Sequence, residues 1–318
     1  MSIKTLAEAT GISEQELWFT TKTKNTRYTH FTRRKANGSI RHIYGPDSQL
    51  KKVQFAVLRE ALDKIPLPDY LWAFERGKSV PEMAKLHVGK TVVFSWDIKD
   101  YFGSIHQNLL NTVLGQYFPE KEAKYISELG TLKFFVPQGS LISPKLANIV
   151  TANTFGPVLQ TFFTTRGGEF SVYADDITVS FRRAVLLEEA QQFTAEVAEA
   201  LKTFNFRLNR EKIKYMPKYK RQYVCGVVVN EKTTVLRKEK RLLRAIVHNV
   251  SRNGFEPEAS KTNLTVEEFT NSITGRIGWF KQINPVQASP LYNKWRELVS
   301  TIPTSSPLQV SSHDSSAA

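Results

Sequence analysis

The segment from Phe170 to Ser180 constrains this chain most. Within it, Tyr173-Ala174-Asp175-Asp176 interrupts two runs of β-branched and aromatic residues, Phe170-Ser171-Val172 before and Ile177-Thr178-Val179-Ser180 after. That composition reads as strand, tight turn, strand, which sets two adjacent carboxylates at a hairpin tip. Neighbouring carboxylates repel and need a cation, a proton or full solvation. Asp is also common in turns, so the doublet alone suits a solvated loop as well as a metal site.

A third acid follows an apolar run, Val92-Val93-Phe94-Ser95-Trp96, which leads into Asp97 and then Asp100-Tyr101-Phe102. Asp97 either caps the helix that follows or joins the doublet at the rim of a sheet. In the second case Asp97, Asp175 and Asp176 supply hard oxygen ligands of the kind Mg²⁺ prefers. Two such ions, roughly 3.5–4 Å apart, stabilise the attacking and leaving oxygens of a phosphoryl transfer.

Other segments carry local signals. Lys35-Ala36-Asn37-Gly38-Ser39-Ile40-Arg41 has the Asn-Gly turn of a hairpin, with Lys35 and Arg41 on its strands. Pro137-Gln138-Gly139-Ser140 precedes Ser143-Pro144-Lys145-Leu146-Ala147-Asn148. There Ser143 reads as an N-cap with Pro at the first helical position. Tyr223-Val224-Cys225-Gly226-Val227-Val228-Val229 reads as one strand whose glycine lets another backbone approach. Arg237 to Val247 has the pattern of an amphipathic helix, with Arg237, Lys238, Lys240, Arg241 and Arg244 on a basic face.

In order, these blocks resemble the reverse transcriptases, from about residue 25 to about residue 285. The resemblance implies an α/β (α+β) right-hand polymerase, with fingers and palm carrying an antiparallel sheet and a mostly helical thumb. It implies an N-terminal helical segment over 1–25, in which Ser13 offers an N-cap, fingers over 26–90, and palm with a fingers insertion over 91–230. The thumb follows over 231–300, and a Ser-rich tail over 301–318 reads as disordered.

The resemblance also implies roles. Asp97, Asp175 and Asp176 hold two Mg²⁺ ions. Lys35 and Arg41 bind the triphosphate of an incoming deoxynucleotide, and Gln138 and Gly139 lie along it. Phe102, five residues beyond Asp97, excludes ribonucleotides by overlap with a 2′-hydroxyl. Lys212, in Leu208-Asn209-Arg210-Glu211-Lys212, protonates the departing pyrophosphate. Tyr223 and Gly226 belong to the strand that grips the primer end, and the basic helix holds the primer–template duplex. From the residues alone, Phe102 is equally a core aromatic, and Lys212 equally one solvated cation among several.

Composition agrees with a polyanionic partner: 44 basic against 30 acidic residues leave a formal charge of +14. Between Lys202 and Arg244 the only acids are Glu211, Glu231 and Glu239. A single Cys excludes internal disulfides and a cysteine zinc site, which points to the cytoplasm. No apolar run approaches the roughly 20 residues needed to span a bilayer, so no membrane partner is expected.

Compactness and two short elements resemble the bacterial retron enzymes. Met83-Ala84-Lys85-Leu86-His87 is similar to their Asn-Ala-x-x-His element, with Met83 in place of Asn. Val224-Cys225-Gly226 is similar to their Val-Thr-Gly, with Cys225 in place of Thr, and Val172 stands where Arg is frequent. This resemblance implies copying of a structured noncoding RNA into RNA-linked single-stranded DNA, with a retron effector protein as partner in anti-phage defence. The alternatives are another bacterial defence or group II intron-like reverse transcriptase, a catalytically inactive RNA-binding protein, and an unrelated metal-dependent phosphoryl-transfer enzyme.

Overall fold

The computed structural model describes residues 3–34 and 38–302. Lys35, the Asn37 of the hairpin turn and the tail from Pro303 lie outside them. The chain divides into two compact units, the first ending at Thr233 and the second starting at Thr234.

In the first unit the strands are β1 (Tyr28–Arg34), β2 (Ile40–Pro46), β3 (Val92–Lys99), β4 (Glu169–Tyr173), β5 (Asp176–Phe181), β6 (Arg207–Leu208), β7 (Lys214–Pro217), β8 (Tyr223–Val224) and β9 (Val227–Val228). β1 and β2 form an isolated antiparallel hairpin. The main sheet runs β4-β5-β3-β6, with β7 also on β3, and all its pairings are antiparallel.

Strand alternation gives this sheet two unlike faces. One carries Phe94, Trp96, Val179, Phe181 and Phe170, and the helices Phe155–Thr164 and Leu187–Thr203 cover it. Phe193 from the second helix meets Phe94 at 5.8 Å and Phe181 at 5.3 Å between ring centroids, within the usual range of aromatic pairs. The register places Ser95, Thr178, Ser171 and Ser180 on the opposite face, all buried. Buried hydroxyls need partners. His87, just past the helix Val80–Leu86, supplies two: Nδ1 lies 2.7 Å from Ser180 Oγ and Nε2 2.8 Å from Ser171 Oγ. It is fully buried, and burial holds its pKa down at about 3, with Lys90 adding to the effect.

Three sequence readings are corrected. The helix over 143–152 begins with Ser143 inside it; Ile142 is the N-cap, without a side-chain cap bond. Cys225 and Gly226, both at positive φ (45° and 84°), turn the expected single strand into the hairpin β8–β9. Positive φ at both central residues is what such a two-residue turn demands, and nothing lies within 4 Å of a Cβ built on Gly226. The glycine therefore serves the turn, not close approach. Asp97 does not cap the following helix, since Asp100 holds the N-cap position of Tyr101–Ser104.

The second unit is helical: Arg237–Asn253, Glu256–Ser260, Val266–Ile283 and Pro285–Val299. Leu243, Val247, Ile273, Ile277 and Trp295 make its core, and Trp295 Nε1 donates to Thr274 Oγ1 at 2.9 Å. A capping box between Thr265 and Glu268 starts the third helix. No helix among the described residues is long and apolar enough to cross a membrane.

Candidate functional site

The three acids meet through backbone register. Asp97 pairs with Asp176 across β3 and β5, Asp176 pairs with Tyr173 across the hairpin, and the Ile98 N–H donates to the Asp175 carbonyl at 2.9 Å. Ala174, at φ +54°, makes the sharp turn between β4 and β5.

On the other side of β3 the pairing is interrupted at Asp97. β6 bonds Ile98 and Lys99, β7 bonds Val92 to Ser95, and the 3₁₀ turn Arg210–Lys212 lifts away between them. Asn209 N–H donates to the Asp97 carbonyl at 2.8 Å and Asn209 Nδ2 to Asp97 Oδ1 at 2.9 Å. Lys212 Nζ reaches Asp97 Oδ2 at 2.7 Å. The Lys212 side chain is 55% exposed while that of Asp97 is 9% exposed. This hydrogen bond raises the Lys212 pKa and keeps the ammonium charged.

The doublet is less well compensated. Burial, then the neighbouring acids, push Asp176 up to about 6 against Lys214 and Lys212. Burial also raises Asp175, with Asp97 adding to the rise and Lys212 and Arg41 opposing it. The Cys225 thiol, 3.8 Å from Asp176 Oδ2, is pushed up by its burial and by Asp176. The donor set is thus hard, crowded and short of positive charge, which fits a divalent cation. Among the described residues no three His, Cys, Asp or Glu side chains form a ready-made metal cage. Mg²⁺ bound through few carboxylates plus substrate phosphates and water needs none.

Of the other expected site residues, Arg41 and Gln138 line one cleft of about 490 Å³, together with His42, Tyr44, Asp100 and Lys133. Gly139, at φ +108°, does make a close approach, but to β2: a Cβ there would lie 2.8 Å from the Tyr44 carbonyl oxygen. The Tyr44 N–H also donates to the Gln138 carbonyl at 2.7 Å. Phe102 packs beside Tyr101 at 5.4 Å between ring centroids. Tyr223 lies under Lys214 Nζ, 4.8 Å from its ring, and Gly226 turns the hairpin whose Cys225 faces Asp176.

In the second unit Arg237, Arg241 and Arg244 form an exposed row at spacings of four and three, with Lys238 exposed beside it. Lys240 instead donates to Gln287 Oε1 at 3.4 Å. Sequence reading gave no role to Asn209, Lys214 or Cys225. Their signal is visible only once the 3₁₀ turn and the β8–β9 turn are known.

Residues 33–271 match the model of the reverse transcriptase (RNA-dependent DNA polymerase) family. The chain is 30% identical to the retron Mx65 reverse transcriptase of Myxococcus xanthus, aligning 83% of its own length and 63% of that protein. To the retron Ec86 reverse transcriptase of Escherichia coli it is 28% identical over 77% of each chain. The structure of telomerase from Candida albicans, in complex with the TWJ fragment of telomeric RNA, superposes with a TM-score of 0.50 at 11% identity. That match covers 86% of this chain and 63% of the telomerase, and it shows the right-hand polymerase fold. The chain belongs to the reverse transcriptase family.

Proposed function

We propose that this protein is an RNA-directed DNA polymerase of the retron type. It copies a structured noncoding RNA into RNA-linked single-stranded DNA. The observation that carries the reading is the pairing of Asp97 with Asp176 beside Asp175, in a chain similar over most of its length to two retron enzymes. The chain spans 63% of the Myxococcus relative, and the polymerase reading concerns the part that matches. Residues 26–90 act as fingers, 91–230 as palm with a fingers insertion and 231–300 as thumb.

Asp97, Asp175 and Asp176 would hold two Mg²⁺ ions. Metal ions held by these carboxylates would supply Lewis-acid activation of the primer hydroxyl and charge compensation for the triphosphate. Arg41, with Lys35, neutralises the triphosphate, and Gln138 orients the nucleotide. Phe102 closes the space that a 2′-hydroxyl needs. Asp97 keeps Lys212 protonated, and that exposed ammonium swings to the leaving pyrophosphate and donates its proton there. Asn209 remains on Asp97 Oδ1 and keeps the carboxylate aimed. The row Arg237, Arg241 and Arg244, with Lys238, tracks the duplex phosphates, and Tyr223 and Gly226 hold the primer end. The partners are the noncoding RNA, its RNA–DNA hybrid, deoxynucleotides and, in cytoplasmic anti-phage defence, an effector protein.

The test is purified enzyme with RNA from its own locus, Mg²⁺ and labelled deoxynucleotides, comparing wild type with Asp175→Ala. DNA that shortens or shifts after ribonuclease, and is absent in the variant, supports the retron reading. Synthesis only on a supplied primer–template keeps the polymerase and removes the retron assignment, leaving a defence or intron-like enzyme. RNA binding without synthesis by wild type leaves an inactive RNA-binding protein.

A further inference from the structure

Phe74 sits at φ +62°, in the left-handed region that L side chains avoid, yet the residue is 52% exposed. Such a conformation persists only where the surroundings fix it, and it clusters at working sites. The chain around Phe74 is fixed on both sides. The Ala73 carbonyl accepts from Asn148 Nδ2 at 2.7 Å, and the same group donates to Glu75 Oε1 at 3.0 Å. Lys145 Nζ reaches Glu75 Oε2 at 3.1 Å, with side chains only 10% and 18% exposed. Just before, the Trp72 N–H donates to the Val172 carbonyl at 3.0 Å and the Val172 N–H to the Tyr70 carbonyl at 2.8 Å. The segment is thereby tied to β4 and to the helix Ser143–Ala152.

The exposed residue has as ring neighbours two aromatics that are close in sequence to the acids. Its ring centroid is 6.4 Å from Phe102 and 6.5 Å from Tyr173. Phe102 has Tyr101 as another aromatic neighbour, and the Tyr101 hydroxyl is anchored on the Ala147 carbonyl at 2.9 Å and Thr151 Oγ1 at 2.6 Å. Phe102 therefore has as neighbours an anchored tyrosine and a phenylalanine whose own backbone is pinned.

We propose that Phe74 is a positioning residue that braces Phe102 and so sets the discrimination between deoxyribose and ribose. The inference rests on the polymerase reading and on Phe102 as the sugar gate. Exclusion by overlap works only if the excluding ring cannot tip aside, because a ring free to change rotamer yields the space a 2′-hydroxyl needs. Tyr101 and Phe74 are both ring neighbours of Phe102, the one anchored by its hydroxyl and the other by its backbone. Glu75, Lys145 and Asn148 act one step further out by holding the Phe74 backbone.

The test is single-nucleotide extension of a primed RNA template with dGTP or GTP. The enzymes are wild type, Phe74→Ala, Phe74→Leu, Phe102→Ala and the Phe74→Ala/Phe102→Ala double variant. The expected result is a fall of roughly three- to tenfold in the dGTP-to-GTP ratio of kcat/KM in Phe74→Ala, the size of one aromatic pair. The fall should come from better use of GTP. Phe74→Leu should lie between, and the double variant should match Phe102→Ala, since the brace acts only through the gate. Equal loss with both nucleotides, an unchanged ratio in both Phe74 variants, or additive effects in the double variant would overturn the brace. An unchanged ratio in Phe102→Ala would remove the gate and the brace with it. Failure of wild type to incorporate dGTP would instead overturn the polymerase reading on which both rest.

Discussion

Two antiparallel hairpins in the first unit contrast sharply. In β4–β5 the strand positions are buried almost throughout, whereas in β1–β2 most residues are exposed and only Pro46 is buried. The first is held by packing on one face, by buried hydroxyls on the other and by β3 along its edge. Inside one sheet, a register slip would turn every side chain to the wrong face. The second has its own ladder, a stack of His30 on Tyr44 and His42 at 4.9 and 5.1 Å, and few ties to the rest of the unit, among them the Tyr44 N–H to the Gln138 carbonyl. Burial fixes the carboxylates to a defined geometry while raising the pKa of Asp175 and Asp176; exposure leaves Arg33, Arg34 and Arg41 open to a polyanion.

If that contrast is right, the largest effect comes from the buried acids. Asp175→Ala should cost at least about a thousandfold in DNA synthesis, beyond the loss of one electrostatic donor. Its melting temperature should hold or rise, because a buried like charge is gone. A primer-extension assay beside a thermal melt decides this, and a collapse of both together would put the acids in the scaffold.

The next effect is on stability. Trp96→Ala, in the fully buried centre of β3, should destabilise by about 3–5 kcal/mol in denaturant titration. Phe31→Ala on β1, 49% exposed, should stay within about 1 kcal/mol. Equal losses at the two positions would erase the distinction between the buried main sheet and the exposed β1–β2 hairpin.

His87 gives the buried region a pH signature. Its unfolded imidazole takes up a proton near pH 6.5, whereas the folded one resists until about 3. Between those values the unfolded state binds the extra proton, so stability should fall as pH drops from 6.5 towards 3. Replacing His87 with Gln should lower stability at pH 7.5 and flatten that slope. An unaltered slope would assign acid sensitivity to other groups.

The smaller effects belong to the exposed cations. Arg41→Ala should raise the KM for deoxynucleotides about tenfold, the loss of one charge-assisted contact, and leave the melt unchanged. Arg241→Ala and Arg244→Ala should each reduce the salt slope of duplex binding by about one. A wild-type slope in the double variant would place the duplex elsewhere.

The same contrast explains what could be read from residue order. β3 was legible because Val92-Val93-Phe94 is an uninterrupted apolar run, and β4–β5 because β-branched residues flank a doublet of acids. Turns that break residue preferences were not. Cysteine at positive φ gives no signal, so the β8–β9 hairpin read as one strand, and Phe74 at positive φ read as nothing. Asn209 and Lys212 belong to Asp97 because strand pairing stops opposite that residue. A pairing defect is a property of two distant segments, and neither segment declares it. Ser143 and Pro144 marked a helix start within one residue, since Pro fixes the first turn whichever neighbour precedes it.

The buried hydroxyl–imidazole lattice on the main sheet has an evolutionary consequence. His87 offers one donor and one acceptor, and Ser171 and Ser180 complete it from neighbouring strands. Replacing either serine by an aliphatic residue strands a ring nitrogen where water has no access. The three positions can therefore drift only in concert. Lineages that have lost the imidazole should show apolar residues at both serine positions, and lineages with a single changed serine should be scarce.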